Sequence, residues 1–304
     1  MSDFFEIVKK RLSNINVEEK NNQRNELREI SQEILLSGLA KAGFFNNAVF
    51  MGGTALRLVH GLNRYSEDLD FRFIKDDKIF DWKNYYDFLN NYARQYGGNL
   101  KYGDDSYKNL NRAFFNNDML IENIHNKKIF NLEWAKNKAG SFEIIEVKLE
   151  VSYQTAPFEM KNQKLSFPEE HIIKIFDIHS LCAGKIKAIL TRRDKIGNEV
   201  NEGRDWFDLN WFVKKGVEPN FKYLFASLEE DKKYKGKSES FNENFIKNEL
   251  FNRARGLNYQ AMNLTIESIT TKDNRLVLNH DVVKDIINNL GKDGYIIKNK
   301  RMLT

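Results

Sequence analysis

The sequence predicts an α+β fold in its first half and a mostly helical C-terminal part. Three observations carry that reading. Residues 143–152 alternate, with Ile145, Val147, Leu149 and Val151 on one side and Glu146, Lys148, Glu150 and Ser152 on the other, as in a strand with one buried face. Ala48 to Met51 is an apolar run of strand length that ends in Gly52-Gly53-Thr54 and leads directly into a helical pattern. From Ile178 onward the apolar residues recur mainly at helical spacing.

The elements follow in order. Residues 3–13 and 18–43 read as helices, the second with Leu27, Ile30, Ile34, Leu35, Leu39 and Ala42 on one stripe and Gly43 as its stop. A buried strand over 48–51 precedes a helix over 55–60 with Thr54 near its N-cap, a strand over 69–73 and an amphipathic helix over 81–96 ended by Gly97-Gly98. A β-meander is expected next, with strands at 111–116, 128–134 and 143–152. After Pro157 and Pro168 come helices at 178–193, 203–214, 220–229, 240–254 and 281–290. A boundary near 165–177 divides the chain into two expected domains, 1–170 and 171–304.

Composition sets the limits. With 304 residues and 41% hydrophobic content the chain can build a substantial core, which excludes global disorder. Lys and Arg total 48 against 43 Asp and Glu, and this +5 excess permits a polyanionic partner without demanding one. Cys182 is the single cysteine, so an internal disulfide and a cysteine zinc site are excluded, and the five histidines are scattered. No run approaches 18 apolar residues and the N-terminus lacks a signal-like segment, so a cytoplasmic protein without membrane association is expected. The abundant Asn and Lys read as solvated surface.

The chemistry concentrates in Met51-Gly52-Gly53-Thr54-Ala55-Leu56 and Arg64-Tyr65-Ser66-Glu67-Asp68-Leu69-Asp70-Phe71. A strand that ends in Gly-Gly and turns into a helix exposes bare backbone amides, and the helix N-terminus adds partial positive charge, so a phosphate can approach closely. The Thr54 hydroxyl either caps the helix or donates to a phosphate oxygen. Asp68 and Asp70, two apart on a strand, project from one face while Leu69 and Phe71 point into the core. Neighbouring carboxylates repel unless a cation lies between them, and Mg²⁺ takes oxygen ligands while leaving positions for phosphates. A two-metal arrangement would serve phosphoryl or nucleotidyl transfer, with Glu150 the candidate third carboxylate. Ser66 either donates to a phosphate or caps the start of the strand, and Arg64 binds either a phosphate or Glu67. Alone, a Gly-Gly is usually a turn and an Asp-x-Asp a solvated edge; together, with 13 residues between Thr54 and Asp68, they form a pattern.

That order and spacing resembles the active-site pattern of the polymerase-β-like nucleotidyltransferase superfamily. More narrowly, MGGTAL followed by R-x-S-x-D-L-D-F resembles the AbiEii toxin family, which includes the MenT toxins. Two later stretches are similar to that family's helical motifs: Lys185-Ile186-Lys187-Ala188-Ile189-Leu190-Thr191-Arg192 and Arg204-Asp205-Trp206-Phe207-Asp208-Leu209. The resemblance covers residues 48–210. Physically, Lys185, Ala188, Ile189 and Arg192 share one helical stripe, so both cations can reach one triphosphate. The plainer alternative is a basic solvated face, for which Lys187, Arg193 and Lys195 are better candidates. Arg204 and Asp208, at i and i+4, read as a structural ion pair.

The resemblance implies a mixed sheet with flanking helices plus a helical C-terminal lobe. It implies Asp68, Asp70, Lys185 and Asp205 as catalytic residues, with Asp205 orienting or deprotonating an acceptor hydroxyl. Nucleotide contacts would come from Gly52, Gly53, Thr54, Arg64, Ser66, Lys185 and Arg192, and Asp68, Asp70 and Glu150 would hold Mg²⁺ or Mn²⁺. The implied activity is transfer of a nucleoside monophosphate from an NTP, releasing pyrophosphate, by a toxin of a type IV toxin–antitoxin or phage abortive-infection system. A cognate antitoxin encoded nearby and tRNA 3′ ends as acceptors complete that expectation. Three alternatives stand beside it: a nucleotidyltransferase acting on a small molecule such as an aminoglycoside or on a protein hydroxyl, a non-enzymatic NTP-binding module, and kinase-like phosphoryl transfer.

Overall fold

The computed structural model describes residues 2–16, 19–74, 80–102, 110–116, 118–153 and 155–292. The chain forms two compact units, Met1–Gln154 with Met160–Ile175 and Thr155–Glu159 with Phe176–Thr304.

The first unit is built on a seven-stranded sheet. Its strands are β1 (Ala48–Met51), β2 (Asp68–Phe73), β3 (Asn99–Tyr102), β4 (Leu110–Asn116), β5 (Glu146–Ser152), β6 (Met160–Leu165) and β7 (His171–Phe176), in the spatial order β3-β4-β5-β2-β1-β7-β6. The sheet is mixed, as the α+β reading implied: β1 pairs antiparallel with β2, and β4 with both β3 and β5, while β2–β5 and β1–β7 run parallel. Ala48, Val49 and Phe50 are fully buried, which is why β1 reads as continuously apolar rather than alternating. In β2 the pleat buries Leu69 and Phe71 and leaves Asp68 and Asp70 half-buried on the other face.

Among the described residues, five α-helices belong to this unit: α1 (Ser2–Ser13), α2 (Lys20–Lys41), α3 (Gly52–His60), α4 (Lys83–Arg94) and α5 (Asp118–Asn126). Phe4, Val8 and Leu12 of α1 meet Leu27, Ile30 and Ile34 of α2 and Leu120, Ile121 and Ile124 of α5 in one apolar cluster. Each such buried side chain contributes about 1.5–3 kcal/mol. A second cluster is aromatic: Phe44 stacks on Trp82 at 5.7 Å and meets Phe71 edge-on at 4.8 Å, which packs the segment before β1 against β2.

The expected strand at 128–134 is not formed. The chain after β4 makes α5, a turn in which Lys128 takes a positive φ, and a 3-10 turn at Glu133–Ala135. The apolar residues there, Ile129, Phe130, Leu132 and Trp134, pack on the α1–α2–α5 cluster from a loop, so the hydrophobicity that suggested a strand is spent on a core without a sheet partner.

The second unit contains α6 (Ile178–Thr191), α7 (Gly203–Lys214), α8 (Phe221–Glu229), α9 (Glu243–Ala254), α10 (Tyr259–Ile269) and α11 (His280–Asn288). Its core includes Leu181, Ile186 and Leu190 of α6 with Trp206, Leu209 and Phe212 of α7. Five of these six helices begin with a side-chain cap: Asp177, Asn220, Asn242, Asn258 and Asn279 each accept from the backbone amide three residues on. Part of the asparagine content read as solvated surface is therefore punctuation. Cys182 is fully buried on α6, and burial pushes its thiol well above the usual range. Among the described residues, no helix is long and apolar enough to cross a membrane.

Candidate active site

The β1–α3 junction is shaped by its two glycines. Gly52 has φ +85°, and a Cβ there would lie 2.2 Å from Oδ2 of Asp70, so the Asp70 carboxylate is laid directly against the start of α3. A Cβ on Gly53 would meet Arg64 Nη2 and Ser66 Oγ, both at 2.8 Å. Residue 51 sits at the N-cap in an extended conformation, and no side chain caps α3. Arg64, Ser66 and Asp70 thus lie close against the first turn of α3, which carries the partial positive charge of a helix N-terminus.

The 61–67 loop that carries Arg64 and Ser66 is braced from below by α2. Gln32 Nε2 donates to the Ser66 carbonyl at 2.9 Å, and Arg28 lies 3.6 Å from Glu67. Arg64 is 2% exposed and donates from Nη1 to the Tyr65 carbonyl at 2.8 Å. Thr54 differs from both sequence expectations: its hydroxyl is buried and donates to the backbone carbonyl of Asp68. It ties α3 to β2 and is spent on that bond.

On the sheet, the register sets the charges. Asp68 faces Lys148 and Asp70 faces Glu150 across β2–β5, and Arg112 faces Glu150 across β4–β5. Lys148 Nζ lies 3.1 Å from Asp68 Oδ2 and 3.3 Å from Glu150 Oε2, and Arg112 Nε donates to Glu150 Oε1 at 2.5 Å. Burial raises the Asp68 carboxyl above its ordinary value; Lys148 opposes the rise, while Glu150 and Glu67 add to it. For Lys148, burial works to lower the pKa, but Asp68 and Glu150 outweigh it and hold the ammonium above its usual range. Among the described residues, no group of three or more His, Cys, Asp or Glu side chains is arranged to hold a metal ion. Glu150, expected as third metal ligand, lies against Arg112 and Lys148.

In the second unit, α6 and α7 bring four charges together. Lys185 Nζ lies 2.7 Å from Asp208 Oδ2 and 3.4 Å from Asp205 Oδ1, and Arg192 Nη2 lies 2.7 Å from Asp205 Oδ2. Asp205 is 1% exposed and Asp208 fully buried. Asp208, expected to pair with Arg204, turns an oxygen to Lys185. Asp205 has one oxygen on each cation.

The order of these elements is matched by one protein family. The sequence model described as "Nucleotidyl transferase AbiEii toxin, Type IV TA system" covers residues 34–280. The chain belongs to the AbiEii family. It is accordingly a nucleotidyltransferase of the type IV toxin–antitoxin class.

Among solved structures, the chain is similar to MenT4, a nucleotidyltransferase toxin from Mycobacterium tuberculosis H37Rv, at 14% identity over 93% of this chain and 87% of that one, with a TM-score of 0.49. It is also similar to JHP933 from Helicobacter pylori, at 19% identity over 88% of each chain and a TM-score of 0.46. An antigenic nucleotidyltransferase-like protein from Paracoccidioides brasiliensis matches at 15% identity over 82% of this chain and 96% of that one, with a TM-score of 0.41. No curated protein matches the chain.

Within this AbiEii chain, the first unit brings together Gly52, Gly53, Arg64, Ser66, Asp68, Asp70 and Glu150, and the second brings together Lys185, Arg192 and Asp205. Sequence reasoning gave Lys148, Arg112 and Asp208 no place in the candidate site. Lys148 carried a usable signal, since it lies two residues before Glu150 on the polar face of the same strand. Asp208 did too, since it follows Asp205 by three and shares its helical face. Arg112 carried none, because its place opposite Glu150 depends on the β4–β5 register.

Proposed function

We propose that this AbiEii nucleotidyltransferase is a metal-dependent toxin that transfers a nucleoside monophosphate from an NTP to an RNA hydroxyl and thereby stops growth. The observation that carries the reading is the uncapped start of α3, where Gly52 and Gly53 let Arg64, Ser66 and the Asp70 carboxylate approach closely. Amides and a guanidinium suit phosphate oxygens. A phosphate at that helix end would face the Asp70 carboxylate, a pairing that is tolerable only with a cation between them.

The donor set fits such a cation. Asp68 and Asp70 offer hard oxygen donors from one face of β2, and a positive charge, the Lys148 ammonium, already rests between Asp68 and Glu150 at 3.1 and 3.3 Å. Asp68 and Asp70 would hold Mg²⁺ or Mn²⁺, with Glu150 joining once released by Lys148. The metal would neutralise charge on the phosphates as the transfer proceeds. The α3 amides and Arg64 bind phosphate oxygens, and Ser66 orients them. By the family resemblance, Lys185 and Arg192 of the second unit are proposed contacts for nucleotide phosphates. Asp205, with both oxygens on cations, positions Lys185 and Arg192. In the transfer, the acceptor hydroxyl oxygen bonds to the α-phosphorus, the bond to the bridging oxygen breaks, pyrophosphate leaves, and the hydroxyl proton passes to solvent.

The acceptor proposed is a tRNA 3′ end, as the resemblance to the MenT branch implies, and the +5 charge is compatible with it. A cognate antitoxin encoded nearby would restrain the activity in the cytoplasm, and phage defence is the proposed setting. The test is incubation of the purified chain with each labelled NTP and total tRNA. Asp68→Asn and Asp70→Asn are each expected to abolish label transfer, chelation to do the same, and both substitutions to relieve growth arrest. Full activity in either variant would sink the site assignment.

A further inference from the structure

The β2–β5 pairing is parallel, so Asp68 and Lys148 sit at one level of the sheet face and Asp70 and Glu150 at the next. Asp68 and Glu150 are therefore diagonal neighbours, and the Lys148 ammonium spans the diagonal. Resting on the metal-dependent reading above, we propose that Lys148 is a built-in counter-ion which occupies the cation position between Asp68 and Glu150 and sets how tightly a divalent metal binds by having to be displaced.

Three features point the same way. The first is how loosely the lysine is held. Its contacts of 3.1 and 3.3 Å exceed the roughly 2.7–2.9 Å of a tight charge-assisted hydrogen bond. Arg112 by contrast holds Glu150 at 2.5 Å, and Lys185 holds Asp208 at 2.7 Å. The second is access. The Lys148 and Asp68 side chains are each 29% exposed, so the ammonium can swing into water on its flexible stem, whereas Asp208 at the other lysine is fully buried. The third is charge. Arg112 already answers Glu150, so Lys148 is the one charge a metal must replace, and a divalent cation brings twice the charge of the ammonium and accepts carboxylate oxygens at about 2.0–2.1 Å. Among the described residues Lys148 is the cation paired with Asp68, so its departure leaves that carboxylate to the metal.

Lys148 thus prevents Asp68 and Glu150 from repelling each other in the metal-free chain, at the expense of metal affinity. The experiment measures Mn²⁺ binding to the purified full chain without nucleotide, by the electron paramagnetic resonance of free Mn²⁺. Lys148→Met keeps the stem and removes the charge, and it is expected to bind Mn²⁺ at least about tenfold more tightly. Lys148→Arg keeps the charge and is expected to gain nothing. The melting temperature of Lys148→Met should fall below that of the native chain without metal and rise further on adding Mn²⁺. Lys148→Gln is measured alongside, so that a folding failure of one variant does not decide the matter. Unchanged or weaker Mn²⁺ binding in the uncharged variants, with native binding abolished by Asp68→Asn, overturns the counter-ion role and leaves the metal reading standing. Native binding that is absent, or indifferent to Asp68→Asn, removes the metal reading itself.

Discussion

At Gly52 a single hydrogen in place of a methyl group decides whether α3 can begin where it does. A Cβ would lie 2.2 Å from the Asp70 carboxylate, and φ +85° would strain any L side chain by about 1–2 kcal/mol. Gly52→Ala is expected to displace Asp70 and reduce nucleotidyl transfer by roughly 10²-fold, since misplacement of about 1 Å suffices for that loss. A steady-state rate measurement with the preferred NTP checks it, and circular dichroism confirms retained fold. At this scale the sequence was informative wherever chemistry is written in local spacing. Gly52-Gly53 before a helix and Asp68-x-Asp70 on a strand are legible because their neighbours lie within a few residues. The role of Thr54 was not, since its hydroxyl is consumed by a carbonyl 14 residues away. The occupation of Glu150 by Arg112, a partner 38 residues distant, was equally hidden.

Among elements, the α6–α7 pair is joined by a buried charge cluster. Lys185 is anchored between Asp205 and Asp208, which are 1% and 0% exposed. Removing one partner of a buried ion pair leaves an uncompensated charge and typically destabilises by about 3–5 kcal/mol, while replacing both with apolar groups is often neutral. Asp208→Ala is therefore expected to destabilise by about 3 kcal/mol. The double variant Lys185→Met/Asp208→Leu should recover most of that loss while remaining inactive. Urea unfolding at neutral pH reads the first effect and label transfer the second; a double variant no more stable than Asp208→Ala would contradict the ion-pair account. The helices of the second unit were legible because their periodicity is long and their caps local. β6 was not, because its residues are mostly exposed and polar. The false strand at 128–134 arose where loop side chains are as apolar as those of a sheet, a case that periodicity cannot separate.

For the molecule as a whole, a pH response between about 4.5 and 7 comes from a charge network on α1, α2 and α3. Arg11 of α1 contacts Glu26 at 2.6 Å, Glu29 at 3.2 Å and Glu33, while Arg57 of α3 holds Glu29 at 2.7 Å. Burial pushes the Glu33 carboxyl up to about 7 from an ordinary 4.5; Arg11 pulls it back in part, and Glu29 and Glu26 push it further. A carboxyl whose folded pKa is raised binds its proton more tightly folded than unfolded, so this group's contribution is full below about pH 4.5 and is lost as pH rises through about 7. Thermal unfolding across that window is expected to show Glu33→Gln with a flatter pH dependence than the native chain, and an unaltered slope would refute the assignment. The network escaped sequence reading because α1, α2 and α3 each look ordinary alone; it exists only in their packing.

The five residues Thr155–Glu159 have a consequence for how this chain can be divided. They leave the sheet-bearing unit for the helical one, where Glu230 accepts from the amides of Thr155 and Ala156 at 2.9 Å each and Ser180 accepts from the Glu159 amide at 3.1 Å. The chain then returns to lay down β6 and β7 before crossing again. No single cut separates the units into two self-contained polypeptides: a fragment ending before Thr155 lacks two strands, and one ending at Ile175 carries a foreign pentapeptide stripped of its partners. Truncation and modular exchange are therefore poor routes to an isolated sheet-bearing unit.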